Sequence, residues 1–239
     1  MKAFSSWSGG KDSVFACYKA LSQGIEVACL LNAVNKRYGR VSFHGVRREL
    51  IELQAKAIGI PLYQPKVNRN NYEEKYKEAI RELKTRGIRR GVFGDIFLAD
   101  GRRWVEDVCR KMKIKPTFPL WGIKTATLIR NFVAAGFEAY VVSTQANLLG
   151  KEWVGRRIDK TFIKDLKKLS RFAGSRKTLN HNNKEAGKKI DICGENGEFH
   201  TFVVDGPIFR KRIRLMKTRK VFIRGYWFLD IRKYALADK

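Results

Sequence analysis

The feature that most limits the fold of this chain is a glycine-containing loop near the amino terminus, within "SWSGGKDSVF", that joins a strand to a helix. Residues 3–7 can form a short buried strand, and apolar residues recur at helical spacing from Val14 to Leu21. Gly9 and Gly10 allow the backbone to turn sharply between the two elements and to approach a ligand closely. Because the N–H groups at the start of a helix attract negative charge, this arrangement predicts an anion-binding site.

Helix and strand signals alternate through the first half of the chain in the manner of a parallel sheet. Strands are predicted at residues 3–7, 25–33, 62–67 and 91–95, with amphipathic helices between and after them. The second half begins near "PTFPLWG", residues 116–122. We therefore predict an α/β protein, in which a Rossmann-like parallel-sheet domain (residues 1–120) precedes a smaller α+β domain (residues 121–239). In such sheets ligands bind beyond the carboxyl ends of the strands.

The loop sequence Ser8-Gly9-Gly10-Lys11-Asp12-Ser13 is not a Walker A motif. Ser5 stands where that motif needs its first glycine, and Asp12 stands where it needs Ser or Thr. The loop resembles the pyrophosphatase loop of the N-type ATP pyrophosphatases, which split ATP into AMP and pyrophosphate while they activate an oxygen as an adenylate. This resemblance implies an adenine nucleotide alpha hydrolase-like domain that binds ATP with Mg²⁺, and it makes Lys11 and Asp12 catalytic candidates.

Three residues outside the loop are further binding candidates. Asp95, in "GDI" at the end of a predicted strand, can hold Mg²⁺ or a substrate amine, although Asp is also a common turn former there. His44 opens the segment "HGVRRELIELQAKAIGIPL" and can reach the nucleotide. Trp121, in "PLWG", indicates a hinge or the edge of a cleft and is a substrate-binding candidate.

A second dense motif is "CGENGEFHTFVVDGP", residues 193–207. Clustered acids repel one another and glycines permit unusual backbone angles, so a purely structural turn does not need this mixture. We interpret the motif as a substrate site, in which Glu195 or Glu198 accepts a proton from an attacking amine. The alternative is a hairpin with a polar tip, because "ENGE" is a good turn sequence.

Taken together, "SGGKDS", "HGVRRELIELQAKAIGIPL", "GDI", "PLWG", "LLGKEWVGRRID" and "GENGEFHTFVVDGP" resemble the diphthine-ammonia ligase family over most of the chain. The resemblance implies a ligase that adenylates the carboxylate of diphthine, the modified histidine of elongation factor 2, and lets ammonia displace AMP to give diphthamide. It assigns the loop from Ser8 to Ser13 to the ATP phosphates. It assigns Glu195, Gly197 and Glu198 to the acceptor site.

The acceptor motif departs from the family pattern, which tends to read E-G-G-E, an aromatic residue and E. Here His200 replaces the last anionic residue, and "GENGEFHTF" resembles a bacterial branch, for which another carboxylate is an alternative acceptor. An ATP-dependent tRNA-modifying enzyme of the same superfamily and a non-catalytic nucleotide- or RNA-binding protein are two further interpretations. Sulfur insertion into RNA usually needs paired reactive cysteines, but the four cysteines form no C-x-x-C pair.

The chain is strongly basic, with 50 Lys and Arg against 23 Asp and Glu and a formal net charge of +27. ATP carries too little charge to account for this excess, so RNA or a ribosome-associated partner is one interpretation, and a solvated surface is the other. Eight basic residues and no acid lie between Arg210 and Arg224, in a predicted terminal hairpin that turns across "KTRK" at residues 217–220.

Two classes of protein are disfavoured. The cysteines and the three histidines lack metal-ligand spacing, so we expect no protein-held metal site. No apolar run approaches the length of a membrane span, and we therefore expect a cytoplasmic protein without a membrane partner.

Overall fold

The computed structural model describes residues 1–35, 40–41, 45–68, 70–175 and 190–239. In chain order the strands are β1 (Lys2–Ser6), β2 (Val27–Leu31), β3 (Val34–Asn35), β4 (Arg40–Val41), β5 (Leu62–Tyr63), β6 (Lys66–Val67), β7 (Ile88–Val92), β8 (Lys115–Thr117), β9 (Glu138–Gln145), β10 (Phe199–Asp205), β11 (Arg212–Ile223) and β12 (Tyr226–Ala237). The α-helices are α1 (Lys11–Ser22), α2 (Arg48–Ile58), α3 (Tyr72–Thr85), α4 (Ala99–Met112), α5 (Thr125–Ala134) and α6 (Lys160–Ser175).

A five-stranded parallel sheet forms the first half, in the order β5-β2-β1-β7-β8. Successive side chains of a strand point to opposite faces, and the two faces of β1 are both buried. Ala3 packs into one apolar core and Phe4 into the other. A sheet buried on both faces needs helices on both, and the alternating strands and helices supply them. The α/β fold predicted from the sequence is confirmed.

Two predicted strands are wrong in their extent. The strand predicted at residues 91–95 lies earlier in the chain, as β7, and ends at Val92. Residues 62–67 form two short strands in different sheets, because Pro65 interrupts the run and has no N–H for a ladder. The first of them, β5, pairs with β2 in the parallel sheet. The second, β6, joins a small sheet of order β4-β3-β6.

A four-stranded antiparallel sheet, in the order β10-β9-β12-β11, dominates the second half. The terminal hairpin is present, but its predicted turn is wrong. The chain reverses at Arg224 and Gly225, whose φ angles of 47° and 83° fit a two-residue turn that requires positive φ at both positions. Lys217 and Thr218 instead mark an irregularity in the register of β11 with β12, within the strand.

The two halves share one apolar core. Helix α1 contacts β1, β2 and β7 of the parallel sheet and also β10 of the antiparallel sheet. Phe15 of α1 lies 5.9 Å, centroid to centroid, from both Phe132 and Phe137 of the second half. The division at residue 120 therefore separates two sheets that pack through a common helix, and it stays a prediction as a domain boundary. In the described part of the chain, no helix has both the length and the apolar character needed to cross a bilayer.

Candidate active site

A cavity of about 960 Å³ opens at the carboxyl ends of the central strands of the parallel sheet. Its lining includes Ser6 at the end of β1, Leu31 at the end of β2 and Gly94 just after β7. The chain adds β2 on one side of β1 and β7 on the other, so the strand order reverses beside β1. Where the strand order reverses, the loops that follow the neighbouring strands run in opposite directions and leave a crevice between them. The sequence predicts a ligand in this crevice.

The loop between β1 and α1 is braced by hydroxyl groups. Ser8 Oγ and Ser13 Oγ lie 3.1 Å apart, and the Ser8 N–H donates to Ser13 Oγ at 3.2 Å. The Gly10 N–H donates to Ser8 Oγ, and Ser13 Oγ donates to the Gly10 carbonyl. At the first residue of α1, the Lys11 N–H donates to Thr201 Oγ1 of β10 at 3.0 Å. Both halves of the chain therefore fix the shape of this loop.

Gly9 occupies a place that no other residue fits. Its φ is +79°, and a Cβ there would lie 2.5 Å from Ile51 Cδ1 and 2.6 Å from Gln54 Oε1. The fully buried Gln54 Nε2 donates to the Gly9 carbonyl at 3.0 Å and to the Val203 carbonyl at 2.6 Å. Its Oε1 accepts from Trp7 Nε1 at 3.0 Å. Gln54 thus ties the loop to α2 and to β10.

Lys11 is a buried cation with only 3% exposure. Its Nζ donates to Asp12 Oδ2 at 2.8 Å and lies 5.4 Å from the centre of the Phe199 ring. Burial lowers the pKa of the ammonium, but Asp12 and, more weakly, Cys193 and Glu195 raise it, and the net pKa lies above the ordinary value. The cavity wall therefore carries a permanent positive charge beside the start of α1.

Asp12 lines the cavity, and one of its carboxylate oxygens has no partner in the described part of the chain. Burial raises the pKa of its carboxyl, and the ion pair with Lys11 opposes that rise. Asp12 Oδ1 is buried and has no hydrogen-bond partner among the described residues. A buried carboxylate oxygen without a partner is costly unless a ligand or ion satisfies it.

Asp95 lines the same cavity and follows β7. The preceding Gly94 packs closely on α1, since a Cβ there would lie 2.9 Å from the backbone carbon of Asp12. Burial raises the pKa of the Asp95 carboxyl, and its own backbone N–H and Arg102 offset only part of the rise. Its Oδ1 lies against Gly101 in the first turn of α4, where a Cβ would stand 3.3 Å away.

Glu195 reaches the same cavity from the second motif. Its Oε1 accepts a hydrogen bond from the Ile96 N–H at 3.1 Å. Burial is the main reason that its pKa rises to about 7; Asp12 adds to the rise, and the Ile96 hydrogen bond and Lys11 oppose it. A carboxyl that titrates near neutrality can take and return a proton under physiological conditions. Glu195 therefore has the properties of a general base.

Glu198 has a different setting. It is 1% exposed, and its Oε1 accepts from the Asp191 N–H at 2.7 Å. The Asn196 N–H donates to Oε2 at 3.1 Å, and Asn196 Nδ2 donates to Oε1 at 3.2 Å. These contacts occupy both carboxylate oxygens and close residues 191–198 into a loop. The geometry favours Glu195 as the acid–base group and Glu198 as the residue that holds the loop around it.

The predicted site residues fall into three groups. Those that line the cavity are Ser8, Lys11, Asp12, Ser13, Asp95, Glu195 and His200. Those outside the lining are Gly9 and Gly10, which shape the loop, and Trp121, Gly197 and Glu198. The Arg102 guanidinium lies 4.4 Å from the centre of the Trp121 ring, so that indole is already stacked. His44 lies outside the described residues.

Sequence reasoning missed two kinds of residue. Gln54 could have been noticed as a polar residue four positions after Leu50 on the apolar face of α2. Tyr72, Tyr76 and Trp104 also line the cavity, but their helical spacing resembles that of ordinary core residues. For these three aromatic residues the sequence carries no signal that separates a cavity wall from a core.

The cysteines do not favour sulfur chemistry. All four are reduced and buried. Cys193, the one nearest the site, donates through Sγ to the Thr125 carbonyl at 3.2 Å, and burial raises the pKa of its thiol. A nucleophilic cysteine needs an accessible thiolate, so the tRNA-modifying interpretation that depends on one is disfavoured.

Comparisons with known proteins agree with one another along the chain. A diphthamide synthase N-terminal domain model matches residues 1–116, and a diphthamide synthase C-terminal domain model matches residues 124–237. A Danio rerio protein named diphthine–ammonia ligase is 26% identical over 90% of this chain and 86% of its own length. The Rattus norvegicus protein of that name is 26% identical over 86% of this chain and 79% of its own length. The Schizosaccharomyces pombe protein is 29% identical over 90% of this chain but only 36% of its own length.

A structural comparison is more distant. A solved structure described as a predicted subunit of tRNA methyltransferase from Methanocaldococcus jannaschii aligns with 87% of this chain and 98% of its own, at 14% identity and a TM-score of 0.42. The two domain models match in order, and together they span nearly all of the sequence. The chain therefore belongs to the diphthamide synthase family.

Proposed function

We propose that this chain is an ATP-dependent carbon–nitrogen ligase that adenylates the carboxylate of diphthine and amidates it with ammonia, releasing AMP and pyrophosphate. The observation that carries the proposal is that Lys11, on the glycine-containing loop, and Glu195, on the distant second motif, line the same cavity. The Lys11 ammonium is suited to bind phosphate, and the Glu195 carboxyl is suited to transfer a proton. The matching relatives named diphthine–ammonia ligase support the same reaction.

In the first step, a carboxylate oxygen of the acceptor attacks the α-phosphorus of ATP. The bond from that phosphorus to the bridging oxygen breaks, and pyrophosphate leaves with the bonding electrons. Lys11 and the N-terminus of α1 stabilise the negative charge on the phosphates, as cations and helix N–H groups do for anions. The product is a mixed anhydride of the carboxylate with AMP.

In the second step, ammonia attacks the carbonyl carbon of the anhydride. The carbon–oxygen bond to AMP breaks, and the attacking nitrogen loses a proton. Glu195 takes that proton, since it lies in the cavity and its pKa of about 7 leaves much of it ionised at neutral pH. His200 lines the same wall and is proposed to contact the acceptor.

The donor set fits Mg²⁺ only when the nucleotide supplies ligands as well. No cluster of three or more His, Cys, Asp or Glu in the described ranges is placed to hold a metal ion. Mg²⁺ is usually held by one or two carboxylates together with phosphate oxygens and water. The unpartnered Asp12 Oδ1 suits that role, and Asp95 is the second candidate. The ion would neutralise phosphate charge.

One reconstitution tests the proposal. The purified chain is incubated with ATP, ammonia and elongation factor 2 that carries diphthine, and AMP, pyrophosphate and the acceptor amide are measured together. We expect all three only when every component is present. Unmodified elongation factor 2 and transfer RNA serve as control acceptors. AMP release with transfer RNA, or none with the diphthine-bearing factor, contradicts the assignment.

RNA is the second partner that we propose, through the basic hairpin formed by β11 and β12. Arg212 pairs with Glu138, Lys211 pairs with Asp238, and Lys220 donates to the Lys151 carbonyl. On β11 and in the turn that follows it, by contrast, no acid of the described chain pairs with Arg214, Lys217, Arg219 or Arg224. Unpaired charges on one exposed ribbon suit contact with phosphates, for example on the ribosome.

Replacing those four unpaired residues with Gln should weaken RNA binding and reduce the slope of log affinity against log salt concentration. The matched control replaces four basic residues that already form ion pairs on helices, Arg86, Arg103, Arg110 and Lys111. The net charge changes equally in both variants. Binding that keeps its salt slope in the first variant would mean that these charges only protect an edge strand.

A further inference from the structure

Three aromatic side chains form one wall of the cavity, and the proposed reaction does not use them. Tyr72 and Tyr76 lie on α3 and Trp104 lies on α4, and all three belong to the cavity lining. The ring centroids of the two tyrosines are 6.0 Å apart with planes within 10° of parallel. Trp104 lies 5.9 Å from Tyr72 and 5.8 Å from Tyr76. The rings thus form one continuous aromatic surface, which we call the aromatic wall.

Hydrogen bonds fix the polar edges of two of these rings. Trp104 Nε1 donates to Glu73 Oε2 at 3.2 Å. The Tyr76 hydroxyl lies 3.3 Å from Ser6 Oγ at the end of β1. With their polar atoms committed, the rings offer their π surfaces, whose faces carry partial negative charge. Tyr72 is 37% exposed and Trp104 is partly exposed, whereas Tyr76 is only 3% exposed, so Tyr72 and Trp104 form the open part of the wall.

Negative charge accompanies the aromatic wall. Asp95 belongs to the same lining, and its carboxylate is one of the groups that raise the pKa of Tyr76, after burial and Tyr72. Glu73 lies at the outer edge of Trp104, but its charge is already paired with Lys77. The Lys and Arg side chains that stack on aromatic rings in the described chain contact other rings, among them Phe15, Phe118 and Trp153. Among the described residues, the three rings therefore form an electron-rich surface on which no Lys or Arg side chain stacks.

We infer that the aromatic wall of Tyr72, Tyr76 and Trp104, with Asp95, binds a quaternary ammonium group of the acceptor. Aromatic faces together with a carboxylate attract organic cations, and quaternary ammonium groups suit them because they have no N–H to satisfy. The inference rests on the proposed function for the identity of the acceptor: diphthine carries a trimethylammonium group beside its carboxylate. Binding of that group at the wall would hold the carboxylate towards Lys11 and Glu195.

A flat nucleotide base is the competing occupant, because bases also stack on aromatic side chains. The two occupants differ in charge, so an experiment that compares a charged probe with a neutral one distinguishes them. Choline is a small quaternary ammonium probe, and 3,3-dimethylbutanol is its neutral isostere. A binding surface that recognises the positive charge separates the two probes, whereas a surface that only excludes water does not.

The experiment measures binding of both probes to the full chain by calorimetry, with and without saturating ATP. We expect choline to bind more tightly than the isostere, and ATP not to displace it. Trp104→Leu should weaken choline binding by about 5- to 30-fold, and Trp104→Phe should restore part of the loss. Trp227→Leu, which removes an indole outside the cavity, should leave choline binding unchanged.

The possible results separate this inference from the proposed function. Equal affinity for the two probes, or displacement of choline by ATP, overturns the quaternary ammonium site even if amide formation is intact. If choline binds as expected but the reconstituted reaction yields no amide, the site stands and the reaction assignment fails. Should Trp104→Leu fail to fold, Tyr72→Leu at the more exposed ring provides the same measurement.

Discussion

Lys11 is a charge that folding alone does not require, since a buried ammonium and its Asp12 partner could be replaced by apolar groups without loss of stability. Its cost is offset if phosphate binds beside it. Replacing Lys11 with Ala, or Asp12 with Asn, should lower the rate of AMP release by about 10²- to 10³-fold, the usual effect of removing one electrostatic contact to a transition state. Initial rates of AMP formation check this.

Circular dichroism and thermal unfolding must show that both variants keep the native fold. Lys11→Met, which retains most of the side-chain volume, replaces Lys11→Ala if the alanine variant unfolds. Unchanged AMP release in the folded variants would remove this loop from the mechanism.

Ionisation of Glu195 should produce one limb of the pH profile of amide formation. Its carboxylate form is the active base, so the rate of amide formation should rise as pH increases through about 7. Glu195→Gln should retain ATP binding, form the amide slowly and lose that limb when the concentration of free NH3 is held constant. The measurement is the pH profile of amide formation beside a separate binding titration. A variant that keeps the limb shows that another group provides it.

The same raised pKa predicts an effect on stability. The folded state holds the Glu195 proton up to a pH of about 7, whereas the unfolded state releases it near 4.5, the ordinary pKa of a glutamate. The stabilisation that protonated Glu195 gives to the folded state is therefore complete at pH values below its unfolded-state pKa. It is lost as the pH rises through about 7. Glu195→Gln should gain about 1–2 kcal/mol over the wild type above pH 7, after a discount for partial solvent exposure. Urea unfolding of the wild type and the variant, at one pH below 7 and one above it, tests this prediction. A difference in the free energy of unfolding that is the same at both pH values contradicts it.

Among the elements, α2 positions the nucleotide loop through a single side chain. Gln54 satisfies the Gly9 and Val203 carbonyls and the Trp7 indole N–H. Gln54→Leu keeps the volume but leaves these three groups unsatisfied, so the free energy of unfolding should fall by about 2–4 kcal/mol. The exposed Gln23→Leu is the control. Urea unfolding of both variants measures the difference, and equal stabilities would mean that the loop does not depend on this tether.

The sequence predicts elements well where local chemistry decides them. The loop glycines and the apolar period of α1 place β1 and α1 correctly, and Gly59, with a φ of +81°, ends α2 where Gly and Pro61 predict it. Local sequence patterns predict an element wrongly where the pairing between strands determines its position. "KTRK" has the composition of a turn, yet it lies within β11, because the twelve-residue ladder with β12 places the turn at Arg224 and Gly225.

At the scale of the whole molecule, the candidate site is composite. The Lys11 N–H is capped by Thr201, and Ile96 donates to Glu195, in each case across the two halves of the chain. One sequence contains no signal for such distant pairs, so it could name both motifs but not show that they meet. It also could not separate Glu195 from Glu198, because the two differ only in what surrounds their carboxylates.

The shared core predicts that the two halves unfold together. The ring of Phe132 is fully buried, 5.9 Å from Phe15 of the first half and 5.0 Å from Phe137. Phe132→Ala should lower stability by about 3–5 kcal/mol. Because α1 packs on both sheets, circular dichroism and choline binding should be lost in a single transition, for the wild type and for the variant alike. Fragments 1–120 and 121–239 expressed separately should lack cooperative unfolding, because each leaves one side of this core exposed to water. A fragment that unfolds cooperatively by itself would contradict the shared core and make residue 120 a true folding boundary.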